Sequence, residues 1–315
     1  MIIVTGAAGF IGSNIVYQLN QQGITDVLLV DDLTHGPKHL NLNRLSFVDY
    51  IHKDDLFDEL PNLKDKVKTI FHQGACSDTT EHNGKYMMDI NYTYSKKLLD
   101  WSCDHQVDFL YASSAAVYGN GDQGFREETQ CEYPLNVYGF SKLVFDNYVR
   151  QILHRDKPTS TIVGLRYFNV FGYQENHKSK MASVPYHFYR QLQSEKTMKL
   201  FEGSQSFLRD FIFIDDVVAV NQYFYKAGVS GIFNCGTGKA RSFYDIAVHL
   251  QKTHSDAEIQ FIPFPAELEG KYQAFTQADL SQLRSCGCDV AFSSLEQGLD
   301  AYYAGLYTHN GFLGL

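Results

Sequence analysis

The segment Ile2-Ile3-Val4-Thr5-Gly6-Ala7-Ala8-Gly9-Phe10-Ile11-Gly12 constrains this chain more than any other. An apolar, buried-type strand runs without a break into glycines spaced G-x-x-G-x-x-G, and Ser13 to Gln22 then carries the apolar spacing of an amphipathic helix. Gly6 permits a tight turn at the strand end, Gly9 lets backbone approach a pyrophosphate, and Gly12 lets the helix pack close to the sheet. The helix N-terminus adds unpaired N–H groups and partial positive charge. Strand, loop and helix in this order predict a bound dinucleotide.

The same rhythm continues. Val27 to Asp31, Thr69 to His72, Phe109 to Ala112 and Thr161 to Arg166 read as strands, separated by the helical stretches Lys85 to Cys103 and Tyr138 to Leu153. Alternating strands and helices imply an α/β fold with a doubly wound parallel sheet, whose ligands sit beyond the strand carboxyl ends. After Phe168 come polar loops, a helix at Val184 to Gln193 and a short segment, Lys199-Leu200-Phe201. The run Arg209 to Ile214, the helical stretch after Asp215-Asp216-Val217, and Ile232 to Gly238 read as a return to the sheet layer. Phe243 to Leu250, Ile259 to Pro263 and Ser294 to Leu306 complete a smaller lobe. The expected division is a dinucleotide-binding domain over 1–170 with a return segment at 212–238, interleaved with a substrate-binding lobe over 171–211 and 239–315.

At 315 residues the chain is long enough for such a pair of lobes around a sizeable core. A net charge of −9 with no block of Lys or Arg argues against nucleic acid or an anionic membrane as partner. No apolar run is long enough for a transmembrane helix and the N-terminus enters a strand directly, so a cytoplasmic location is expected. The 6 cysteines are scattered without a C-x-x-C pair, and the 12 histidines form no H-E-x-x-H, so neither disulfide nor metal is expected.

Tyr138 and Lys142 stand one helical turn apart and share a face. Ionising a tyrosine at pH 7 costs about 4 kcal/mol from its unperturbed value, and a nearby ammonium together with an oxidised nicotinamide would lower that cost. Ser114, at the end of the Phe109 strand, can hydrogen-bond the reacting hydroxyl. Asp31, at the end of the second strand, stands where an acidic residue takes the adenosine ribose hydroxyls, which favours NAD. Lys38 and Lys53 lie near the same end, where a cation would accommodate a 2′-phosphate. Gln73-Gly74-Ala75-Cys76 closes the third strand and can line the pyrophosphate or nicotinamide ribose.

These elements resemble the extended short-chain dehydrogenase/reductase family, which places a Ser and a Tyr-x-x-x-Lys pair on a Rossmann sheet to modify nucleotide sugars. Tyr86-Met87-Met88-Asp89, Arg166-Tyr167-Phe168-Asn169-Val170, Met181-Ala182-Ser183-Val184 and Phe201-Glu202-Gly203-Ser204 are similar to the members acting on ADP-heptose. The resemblance implies epimerisation of an ADP-activated heptose, a tightly bound NADP rather than NAD, a homo-oligomer (a pentamer), and a second acid/base, Lys178, facing Tyr138. It extends the cofactor set to Phe10, Ile11, Asp32, Ser77, Asn91 and Val170. It also implies substrate contacts from Asn169, Ser179, Lys180, His187, Phe201 to Ser204, Arg209 and Tyr272. Lys180 departs from the pattern, which has a serine there. A 4-epimerase, dehydratase or reductase of the same fold is the nearest rival, although Ala115 and Ala116 follow Ser114 where a dehydratase needs an acid and a base. A dinucleotide-sensing regulator without chemistry is the rival of another class.

Overall fold

The computed structural model describes residues 1–155, 158–265 and 273–313. Its strands are β1 (Ile2–Thr5), β2 (Val27–Asp31), β3 (Asp49–His52), β4 (Thr69–His72), β5 (Asp108–Ser114), β6 (Ile162–Tyr167), β7 (Asn169–Phe171), β8 (Thr197–Phe201), β9 (Leu208–Phe213), β10 (Gly231–Cys235), β11 (Ala240–Ser242) and β12 (Glu258–Ile262). Its helices are α1 (Phe10–Gln21), α2 (Leu56–Leu63), α3 (Gly84–Met88), α4 (Tyr94–Asp104), α5 (Val137–Arg155), α6 (Val184–Glu195), α7 (Ile214–Ala227), α8 (Phe243–Thr253), α9 (Ser281–Ser285) and α10 (Leu295–His309).

Seven strands form a wholly parallel sheet in the order β10-β6-β5-β4-β1-β2-β3. Its central strands are covered on both faces, which is why they read as unbroken apolar runs. Alternate residues part company: Ile2, Val4, Val27 and Leu29 join one core, Ile3, Leu28 and Val30 the other. Connections run outward in opposite senses from β1 and β4, so a crevice opens beyond the carboxyl ends of that pair. This is the Rossmann, doubly wound architecture that the strand–helix alternation implies.

The smaller lobe contains a three-stranded sheet, β11-β9-β7, and the parallel pair β12-β8, packed with α6, α8 and α10. One core runs from Val4 and Leu29 under the main sheet through Phe213 to Leu299 and Tyr302 of α10. The Arg209 run does not return to the main sheet. As β9 it pairs parallel with β7 and antiparallel with β11, and the chain rejoins the main sheet only at β10, beside β6. β9 is buried along almost its whole length, and an apolar run carries no label for the sheet that buries it. Edge strand β3 and helix α2, which contains Pro61, escaped the sequence reading because β3 is only half-buried at the sheet edge and α2 is short. Among the described residues no helix is long and apolar enough to cross a membrane.

Candidate active site

The crevice between β1 and β4 is the cofactor end of a cleft of about 710 Å³. Gly6 turns with φ +66, and a Cβ there would lie 2.6 Å from the Gly74 nitrogen. A Cβ on Gly12 would collide with the Gly6 carbonyl oxygen. The two glycines thus let loop, helix and the neighbouring strand end meet backbone to backbone. No side chain caps α1 at Gly9, so its first-turn N–H groups remain available to an anion. Gly6, Gly9, Phe10, Ile11 and Gly12 line the cleft on one side, Gln73, Gly74, Ala75, Cys76 and Ser77 on the other. Among the described residues the buried Gln73 Nε2 has no hydrogen-bond partner, which fits a polar ligand in that space.

A buried relay holds the second wall in place. Ser95 donates to the Asn91 carbonyl (2.8 Å) and therefore accepts from His72 Nε2 (2.7 Å). His72 Nδ1 then accepts from Thr5 Oγ1 (2.6 Å), which accepts in turn from the Gly74 N–H (3.1 Å). Burial holds His72 near a pKa of about 3, in keeping with the neutral ring that this pattern requires. Asn91 belongs to the same frame. It is buried, clasps the Cys76 backbone at both N–H (2.8 Å) and C=O (2.9 Å), and is absent from the cleft lining. Both ends of its carboxamide bond protein atoms, so it frames the wall of the cleft through Cys76.

At the end of β2 the Asp31 carboxylate is engaged on the protein. Its Oδ2 accepts from Ala8 N (2.8 Å), and its Oδ1 from Asp32 N (2.7 Å) and Lys38 Nζ (2.5 Å). A carboxylate so engaged and neutralised has little left for ribose hydroxyls. Asp32 is more exposed, and its hydrogen bonds with Thr34 hold it well below the usual carboxylate range. Lys53 lines the cleft beside Lys38 and pairs with Asp54 at 2.6 Å.

Ser114, Tyr138 and Lys142 are set by a register between β5 and α5. The Ala112 carbonyl accepts from Lys142 Nζ (2.8 Å) and Ser113 Oγ donates to Asp146 (3.0 Å), while Ser114, next along the strand, neighbours Tyr138, one turn back on the helix. Two successive strand residues thus grip two successive turns of one helix face. Asp146 is tied further to Tyr111 (2.9 Å) and to Arg166 (2.8 Å), all fully buried. Ser114 also caps the turn that follows, accepting from Ala116 N. Ser114, Tyr138 and Lys142 all line the cleft. The electrostatics differ from expectation: burial raises the Tyr138 pKa, against the lowering effect of Ser114, and Lys142 donates a hydrogen bond to the Ala112 carbonyl. Burial lowers Lys142 to about 8, while Asp146 pulls the other way. The protein alone does not make the phenol acidic, because desolvation outweighs the help it receives.

Asn169, Val170, His177 and Lys178 also line the cleft. Asn14 and Asn41 stitch this loop to the glycine loop, donating to the Tyr173 carbonyl (3.0 Å) and to the carbonyls of Ala8 (2.9 Å) and Gln174 (3.0 Å). Lys178 Nζ lies 4.9 Å from the centre of the Phe10 ring. Ser179 adopts φ 47. Lys180 points outward to Asp78 (3.3 Å) and Thr80 (2.9 Å). His187 on α6, Phe201 to Ser204 after β8, and Arg209 on β9 belong to the smaller lobe and do not line this cleft among the described residues. Arg209 is buried, with its guanidinium 5.7 Å from the Phe243 ring. Tyr272 lies outside the described residues. Sequence reasoning missed His177, Tyr94 and Thr276 in the lining, since their approach depends on the fold.

The fold and its glycine-lined crevice define the class as dinucleotide-dependent enzymes of Rossmann type. A model of the NAD dependent epimerase/dehydratase family matches residues 2–236, and the chain belongs to that family. Its cofactor is accordingly a nicotinamide dinucleotide. Over 99% of its length the chain is 54% identical to the whole of an ADP-L-glycero-D-manno-heptose-6-epimerase from Brachyspira hyodysenteriae. The crystal structure of the Helicobacter pylori ADP-L-glycero-D-manno-heptose-6-epimerase matches with a TM-score of 0.85 at 32% identity, covering 98% of this chain and 96% of that one. A Thermus thermophilus UDP-glucose 4-epimerase in complex with NAD shares the fold, with a TM-score of 0.78 at 22% identity over 98% of this chain and 99% of that one.

Proposed function

We propose that this protein interconverts ADP-D-glycero-D-manno-heptose and ADP-L-glycero-D-manno-heptose by transient oxidation at C6. The observation that carries the reading is one cleft lined by Ser114, Tyr138, Lys142 and Lys178, beside an uncapped glycine cradle. Its near-full-length likeness to an enzyme of that name supports the choice of sugar. When bound, the nicotinamide dinucleotide accepts a hydride from carbon and returns it. The glycine loop, Gln73 to Ser77, Asp32, Lys38 and Lys53 would hold that cofactor. Because Lys38 already neutralises Asp31, we take it to be NADP.

Tyr138 takes the proton of the C6 hydroxyl while Ser114 bonds the same oxygen. The carbon is exocyclic, so the resulting ketone exposes its other face by rotation about one ring-to-chain bond. Lys178 then gives its proton to the oxygen. Acid–base help of this kind contributes roughly a hundredfold to ten-thousandfold. Ala115 and Ala116, both in the lining, offer no acid or base for dehydration. The substrate lobe would supply His187, Phe201 to Ser204, Arg209 and Tyr272, with Asn169, Ser179 and Lys180 nearer the sugar. We further expect a cytoplasmic homo-oligomer, a pentamer, supplying heptose for the lipopolysaccharide core, with neither nucleic acid nor membrane as partner. Incubating purified protein with ADP-D-glycero-D-manno-heptose, without added dinucleotide, tests the reading. NMR should reveal the L-glycero epimer accumulating; no conversion, or conversion only with stoichiometric cofactor, contradicts it.

A further inference from the structure

We propose that Glu175 is the positioning residue for Lys178, a buried carboxylate that holds the ammonium beside the cleft and keeps it charged for proton donation. The proposal rests on Lys178 acting as the second acid, as argued above.

Glu175 has no exposed surface. Its Oε1 accepts from Ser183 Oγ (2.6 Å), Tyr302 OH (2.9 Å) and Gly172 N (3.5 Å), and its Oε2 accepts from Ser183 N (2.6 Å). These donors come from the residue after β7, the cap of α6 and the middle of α10, so the side chain pins the Lys178 loop to three elements at once. All of them are neutral. Among the described residues, the one cation at ion-pair distance is Lys178, whose Nζ lies 4.0 Å from Oε2. The Lys178 N–H also donates to the Glu175 carbonyl (2.9 Å), closing a short turn that fixes where the side chain starts.

A buried carboxylate with only neutral donors is an expensive way to join three elements, because its charge is desolvated without a counter-ion. With Lys178 opposite, the charge has a use. Burial pushes the lysine toward the neutral amine, and Glu175 pulls it back toward ammonium. The other titratable groups around it contribute little charge near neutrality. His177 is lowered to about 4, chiefly by burial, Lys38 and Asp31 neutralise one another, and burial first holds the Tyr302 phenol protonated. Phe10 presents only its ring face.

The test compares Glu175→Gln and Glu175→Asp in the full-length, cofactor-loaded protein. Glu175→Gln should lower kcat about tenfold, within the acid–base range, and move the alkaline limb of the pH profile acidward by roughly half a unit or more. Glu175→Asp, which keeps the charge, should move it less. In a Lys178→Met background, Glu175→Gln should change residual turnover less than about twofold, the non-additivity of residues that act as a unit. An unmoved limb, or the same loss in both backgrounds, overturns the positioning role while leaving the acid assignment intact. Full turnover in Lys178→Met alone overturns both. If the Glu175 variants do not fold, competitive acetylation of Lys178 in the wild type reads its ionisation directly: an ammonium at neutral pH agrees, a free amine contradicts.

Discussion

Tyr138 carries the chemistry proposed for the cleft, yet its own surroundings raise the cost of ionising it. The missing stabilisation must come from positive charge that arrives with the oxidised cofactor, which couples the phenol to cofactor occupancy. Tyr138→Phe should therefore cut steady-state turnover by roughly a hundredfold to ten-thousandfold while leaving bound cofactor unchanged by mass analysis. Lys142 has the opposite imbalance. Its folded pKa of about 8 lies below the ordinary 10.5, so the unfolded chain binds this proton more tightly. The burden on stability is fully present below about pH 8 and is relieved as pH rises toward the ordinary value. Lys142→Met removes it, so the melting temperature of wild type relative to this variant should rise between about pH 7 and pH 9.5. A gap independent of pH would mean that the lysine is not buried as an ammonium. Tyr138, Lys142 and Ser114 were legible because their geometry follows from one helical turn and one strand end. Glu175, Asn41 and the engagement of Asp31 were not, because each depends on partners brought in by the fold.

At the scale of elements, the register between β5 and α5 decides whether the centre exists. Ala112 and Ser113 each hold a different turn of the helix, so a slip by one residue would break both contacts and carry Ser114 away from Tyr138. The glycine loop is as unforgiving at the other end. Gly12→Ala places a Cβ against the Gly6 carbonyl, a rigid backbone atom, so α1 must move off the sheet. Cofactor affinity should fall at least about tenfold, as expected where close helix–strand packing shapes the pyrophosphate site, measured by titration of the apo-protein. Beyond β2 and β3, Lys38→Ala should remove a cation and release Asp31, moving the ratio of NADP to NAD affinity toward NAD. An unchanged ratio would count against the phosphate role of that lysine. Apolar runs announced the central strands, whereas the half-buried β3 and the sheet to which β9 belongs were hidden.

Across the whole molecule, the smaller lobe shares a continuous core with one face of the main sheet, and α10 reaches the Lys178 loop through Tyr302. The acid proposed at Lys178 is thus held by the C-terminal helix as well as by its own loop. Cofactor binding to such a fold should register in global stability. Stripping the dinucleotide should lower the melting temperature by several degrees, since a ligand at about 100 times its Kd stabilises by about 2.7 kcal/mol. Restoring NADP should recover more of that loss than NAD.

In the proposed reaction one hydride leaves C6 and comes back to it. ADP-D-glycero-D-manno-heptose carrying deuterium at C6 tests this directly. After conversion in ordinary water, the L-glycero product should carry deuterium still at C6; replacement of that deuterium by solvent hydrogen would contradict the hydride's return.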